Sequence, residues 1–130
     1  MQETLNERIV AVLDRHPEVV GAYLFGSRGR AEETDGSDVD LAVLFDGPAG
    51  LERTIALEDE LELAVGLPVD LVDVARAGAF LALDAIRGGR IFERDGRRLD
   101  EFDLYVLRRA GDLAHFERER RRALLAVGES

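Results

Sequence analysis

The sequence predicts an α/β (α+β) fold, a small mixed sheet with helices packed against it and a long C-terminal helix. Three observations carry that expectation. Short apolar runs rich in strand formers alternate with longer segments of helical apolar spacing. Gly, Pro and Asp-Gly breaks fall between them. The C-terminal segment repeats apolar side chains every three to four positions without interruption.

The first helix is expected over residues 2–15, where Leu5, Ile9, Val12 and Leu13 share a face. His16-Pro17 ends it, because the residue before proline is driven out of the helical region. Val19–Phe25 (VVGAYLF) reads as a core strand containing Tyr23 and Phe25, stopped by Gly26-Ser27. A polar turn region over 28–37, with a short helix starting at Arg28, leads to a second strand over 38–45, closed by Asp46-Gly47-Pro48. Leu51–Val65 reads as a helix with Leu51, Ile55, Leu61 and Val65 on or near one face. Gly66-Leu67-Pro68 separates it from a third strand over 69–74. A helix over 77–87 stops at Gly88-Gly89, a short strand follows over 90–94, and Asp95-Gly96 makes a turn. The last helix, over 99–127, is amphipathic through Leu99, Phe102, Val106, Ala110 and Leu113. The chain is expected to be one domain over 1–130, with a core over 1–95 and the C-terminal helix beyond it.

Composition removes several function classes. There is no Cys, so disulfides, thiolate nucleophiles and Cys-based zinc sites are excluded. His16 and His115 are the only histidines, too few for a His-rich metal site. The longest uncharged run, over 19–27, is far too short to span a bilayer, and the acidic N-terminus does not resemble a signal peptide. A cytoplasmic protein without membrane attachment is the expectation. Net charge is −10, and residues 1–70 carry 16 acids against 5 arginines, while 71–130 carry 11 against 12. Nucleic acid binding through counterion release needs the opposite balance, so a metal-chelated nucleotide or a basic protein is the better partner. Every basic residue is Arg, and a chain without Lys cannot work through a lysyl-nucleotide or Schiff-base intermediate.

The chemistry concentrates between Phe25 and Leu41. In a strand, side chains at i and i+2 point to one face, so Asp38 and Asp40 present two carboxylates together. Oxygen-only ligands favour a hard divalent ion, Mg²⁺ or Mn²⁺, which retains waters and binds together with phosphates. Gly26 at the end of the preceding strand lets backbone approach an anion, and the Ser27 hydroxyl with the amides of the turn can hold phosphate oxygens. Arg28 and Arg30 are candidate phosphate contacts on the same turn. Asp70 lies inside an apolar strand, where an acid is costly unless it is paired or metal-bound. Asp73 has opposite parity and reads as a solvated strand-end acid. Three carboxylates within about 5 Å repel by roughly 3 kcal/mol per pair at an effective dielectric of 20, a strain that a divalent ion relieves. A calcium loop is excluded because its required Gly and closing Glu are missing, and a Walker loop because there is no Lys. His115 and the run Arg118-Glu119-Arg120-Arg121-Arg122 read as solvated helix surface.

Gly26-Ser27, ten intervening residues, Asp38-Val39-Asp40 and then Asp70 together resemble the polymerase-β-type nucleotidyltransferase superfamily, and within it the minimal nucleotidyltransferase (MNT) branch. Members often read G-S-R-A-R-G where this chain has Gly29 and Ala31 exchanged. The resemblance implies that Asp38, Asp40 and Asp70 bind two Mg²⁺ ions, with Asp70 also assisting the attacking hydroxyl, and that Gly26 and Ser27 contact the terminal phosphates of ATP. It implies attack of a hydroxyl on the α-phosphate, with pyrophosphate leaving. Stand-alone members of that branch are antitoxins paired with a small helical HEPN ribonuclease toxin, which they silence by attaching AMP to a tyrosine. Transfer to a small hydroxylated molecule, and a binding-only antitoxin with a vestigial site, are the alternatives.

Overall fold

The computed structural model describes residues 4–26 and 38–128. Helix α1 (Leu5–Asp14) leads into strand β1 (Val19–Phe25). Strand β2 (Val39–Phe45) is followed by helix α2 (Leu51–Val65), strand β3 (Val69–Asp73) and a 3-10 turn (Val74–Arg76). Helix α3 (Ala79–Gly88), strand β4 (Arg90–Glu93) and helix α4 (Gly96–Gly128) complete the described chain. The sheet runs β3-β2-β1-β4, with β1 antiparallel to both neighbours and β2 parallel to β3. The mixed sheet and long final helix are those the sequence implies. The expected short helix after Arg28 lies outside the described residues.

Strand parity divides the core into two layers. Leu41, Val43 and Leu71 pack with Ile9, Leu13, Leu57 and Leu61, so α1 and α2 cover one face. Ala42 and Leu44, of opposite parity, pack with Tyr23, Ala82, Ala85, Leu99 and Val106, so α3 and α4 cover the other. Leu51 and Ile55 do not belong to the buried face of α2, being 74% and 46% exposed. Leu57, Leu61 and Val65, at i, i+4, i+8 spacing, form the seam instead.

Element boundaries shift where a cap or a turn decides them. Thr4 Oγ1 accepts from the Glu7 amide (3.1 Å) and the Glu7 carboxylate accepts from the Thr4 amide (3.4 Å), a capping box that starts α1 at Leu5. Helix α3 starts at Ala79, not at 77, because the Ala77 amide donates to the Val74 carbonyl (3.3 Å) and closes the 3-10 turn. Asp95 is a cap rather than the corner of a turn. Its carboxylate accepts from the Arg98 amide (3.2 Å) and its carbonyl from the Leu99 amide (3.1 Å), so α4 begins at Gly96, three residues earlier than expected. Strand β4 stops at Glu93, and the Arg94 guanidinium turns back to donate to the carbonyls of Val19 (2.9 Å) and Asp14 (2.9 Å), satisfying the end of α1.

Buried polar chemistry fixes α4 to the sheet. The fully buried Tyr23 donates its hydroxyl to Asp103 (2.5 Å), and Arg90 of β4 donates to Asp103 (2.8 Å) and Asp100 (2.6 Å). Burial and the Asp103 hydrogen bond push the Tyr23 phenol far above its ordinary range, so it stays protonated and donates to Asp103. Leu99, Val106 and Ala110 of α4 are buried, whereas Leu113 is 37% exposed and most side chains from there to Leu125 face solvent.

Candidate functional site

Three strand ends meet at one end of the sheet. Asp40 of β2 is the register partner of Phe25 at the end of β1 and of Asp70 near the start of β3. Neighbouring strands lie about 4.8 Å apart, so Asp40 and Asp70 stand side by side. They share parity with Ala42 and Val72, which places them on the sheet face that carries α3 and α4. Asp38, immediately before β2, is exposed, and Asp40 is half-buried.

Asp70 is exposed, contrary to the expectation of a buried strand acid. Strand β3 is an edge of the sheet, and its first turn of side chains on this face opens to solvent, so the carboxylate stays hydrated. The strand backbone is nevertheless held: the Leu71 amide, next to Asp70, donates to the Glu58 carboxylate of α2 (2.9 Å). Gly26 closes the other side. Its φ of +67° lies in the left-handed region, and a Cβ there would overlap Asp40 Oδ2, so only glycine allows β1 to end against that carboxylate. Ser27, Arg28 and Arg30 lie outside the described residues.

The electrostatics are one-sided. Burial pushes the Asp40 carboxyl above its ordinary value, and the charges of Asp70, Asp38 and Asp84 push it further. Asp84, on α3, bears no sequence mark of a site residue: it comes from a helix, at no motif spacing, and only the docking of α3 brings it near. Among the described residues no group of three His, Cys, Asp or Glu side chains is gathered tightly enough to hold an ion unaided. The donor set is all oxygen, and among the described residues the charges that shift Asp40 are those of Asp70, Asp38 and Asp84, all negative. That suits a hard divalent cation whose remaining ligands are waters and phosphate oxygens.

Asp73 lies elsewhere and is not the solvated acid expected. It ends β3 half-buried, where burial raises its carboxyl against the opposing pull of the Ala75 amide and Arg76. With Phe45, Pro48 and Arg76 it lines a hollow of about 480 Å³ at the opposite end of β2 and β3 from Asp40 and Asp70.

Residues 7–97 match the family model described as polymerase beta, nucleotidyltransferase. The chain is 28% identical over 121 residues to protein adenylyltransferase MntA of Shewanella oneidensis, covering 92% of this chain and 85% of that one. It superposes with a TM-score of 0.72 on a chain of a toxin-antitoxin crystal structure with AMP-PNP, at 24% identity over 94% of this chain and 97% of the other. It superposes with a TM-score of 0.71, at 24% identity over 98% of each chain, on a chain of the complex of tri-AMPylated Shewanella oneidensis HEPN toxin with MNT antitoxin.

Proposed function

The chain belongs to the polymerase beta nucleotidyltransferase family, and from that premise we propose that it is a protein adenylyltransferase that moves AMP from ATP to a tyrosine of a cognate HEPN ribonuclease toxin, and so acts as its antitoxin. The observation that carries this reading is the register pairing of Asp40 with Asp70, with Asp38 two residues before Asp40 and Gly26 pressed against it. The similarity to an adenylyltransferase over most of both chains supports the choice of AMP and of a protein acceptor.

In this reading Asp38, Asp40 and Asp70 hold two Mg²⁺ ions, for which Mn²⁺ can substitute. Those ions, when bound, neutralise the triphosphate and stabilise the entering and leaving oxygens of an in-line displacement. Gly26 offers its backbone to the phosphates, Ser27 its hydroxyl, and Arg28 and Arg30 their guanidinium forks. Asp70 takes up the acceptor's proton as its oxygen bonds to the α-phosphorus. The bond from that phosphorus to the bridging oxygen breaks, and pyrophosphate leaves with the electron pair. The catalytic work of the chain is to place charge and to hold the acceptor oxygen in line. Its site of action in this reading is the cytoplasm, where ATP is supplied. No helix among the described residues is long and apolar enough to cross a membrane.

The test is incubation with Mg²⁺, a lysate of the source organism and ATP labelled at the α- or the γ-phosphate. The reading predicts α-label, and no γ-label, on a tyrosine of one small protein, lost with Asp38→Asn. Label on a metabolite would shift the acceptor to a small hydroxylated molecule. No transfer at all would leave a binding-only antitoxin.

A further inference from the structure

We propose that the distal half of α4 docks on the exposed flank of α2 in a second copy of this chain, giving a two-fold dimer in which each copy lends its long helix to the other. The dimer is expected whatever acceptor the strand aspartates serve.

The stripe that seats α4 does not stop where the sheet stops. Leu99, Val106 and Ala110 are buried, and on or near the same side the helix continues through Leu113, Phe116, Arg120 and Leu124, all exposed. Helix α2 also carries an apolar stripe beside its buried seam, where Leu51, Ile55 and Leu63 face solvent, Leu63 at 88% exposure. Single exposed leucines are ordinary on a surface, whereas a stripe sustained over about 18 Å of helix, at 1.5 Å per residue, marks a face that an assembly covers.

Charge says what covers each stripe. Asp59 and Glu62 lie along that of α2, and Arg120 and Arg121 along that of α4. Neighbouring groups are already satisfied: Glu60 pairs with Arg15 (2.7 Å) and His16 (2.7 Å), Glu58 accepts from the Leu71 amide (2.9 Å), and His115 pairs with Glu119 (3.2 Å). Asp59, Glu62, Arg120 and Arg121 have no ion-pair partner among the described residues. The order of groups matches as well, since each stripe reads, in chain direction, two apolar side chains, a pair of like charges and a leucine. Laid side by side in parallel, Leu113 and Phe116 meet Leu51 and Ile55, the arginines meet Asp59 and Glu62, and Leu124 reaches the hollow of about 430 Å³ beside Leu63. An antiparallel pairing would set arginine against Ile55 and Phe116 against Asp59.

The partner is another molecule, because α2 and α4 cover opposite faces of the sheet and a chain cannot bring its own two stripes together. A second copy carries both complements, and a two-fold axis makes the contact twice. Two such short contacts support a dissociation constant on the order of ten micromolar, not an obligate dimer.

The test is sedimentation equilibrium of the full chain from about 1 to 100 µM at low and at high salt. The expected result is a passage from monomer to dimer across that range, weakened by salt. Arg120→Glu with Arg121→Glu should weaken the dimer about tenfold or more, and so should Asp59→Arg with Glu62→Arg. Mixed in equal amounts, those two variants should recover it, because opposite charges then meet in both contacts. Arg118→Glu with Arg122→Glu, on the far side of α4, changes the charge equally and should leave association within about twofold of the parent. A parent that stays monomeric up to about 100 µM overturns the proposal and leaves the two stripes to a different protein. A dimer that the far-side pair weakens as much, or that mixing does not recover, overturns the pairing of α4 with α2.

Discussion

Asp40 joins stability to chemistry. Its carboxyl is raised first by burial and then by Asp70, Asp38 and Asp84, so the folded chain favours the protonated form at a pH where the unfolded chain is ionised. A raised carboxyl destabilises the fold as pH rises through the unfolded and then the folded pKa. In EDTA, Asp40→Asn should therefore equal the parent in stability near pH 3 and exceed it at pH 7. Urea melts across that range check the sign, and a variant less stable than the parent at pH 7 would contradict it. Transfer activity should fall by about a thousandfold or more in Asp38→Asn and Asp40→Asn. The i, i+2 aspartates were legible from strand parity alone, because a strand alternates faces whatever surrounds it. The exposure of Asp70 was not, since it depends on β3 being an edge strand, a property of sheet order rather than of local pattern. Asp84 carries no local signal at all.

Glycine contacts decide how closely the layers approach. Gly88 lets α3 touch the end of β1, so Gly88→Ala should push the two apart and destabilise the chain by about 2 kcal/mol, as overpacking against backbone does. A thermal melt measures this, and a neutral result would mean that α3 has room to move. Strand β1 and helix α2 were read to their exact ends because proline, glycine and charge bound them on both sides. Helix α4 was read three residues short, because Asp95-Gly96 is equally a turn and a cap in sequence, and only the carboxylate bond to the Arg98 amide selects the cap. The face of α2 was misread because Leu51 and Ile55 keep helical spacing with Leu61 and Val65 but sit on its flank, off the Leu57-Leu61-Val65 seam. Apolar spacing finds a helix more surely than it finds the centre of its buried side.

On the scale of the whole molecule, an acidic sheet domain carries one long helix. Leu99, Val106 and Ala110 anchor the helix, aided by Tyr23 and Arg90 on Asp103. The turns from Leu113 to Leu125 bury little, so a chain ending at residue 112 should lose no more than about 1 kcal/mol of stability, as expected for exposed helix. A collapse of the melting transition would show that the distal helix supports the core. Part of the acidity of residues 1–70 lies at one end of the sheet, where Asp40 pairs in register with Asp70 and with Phe25 and Asp38 immediately precedes β2. Crystals grown with Mn²⁺ and a non-hydrolysable ATP analogue, with data collected at the manganese edge, probe that arrangement most directly. Anomalous density among the carboxylates of Asp38, Asp40 and Asp70, with the triphosphate beside Gly26, is the expected result. Density elsewhere, or Asp70 turned away from an ion held by the other two, would contradict it.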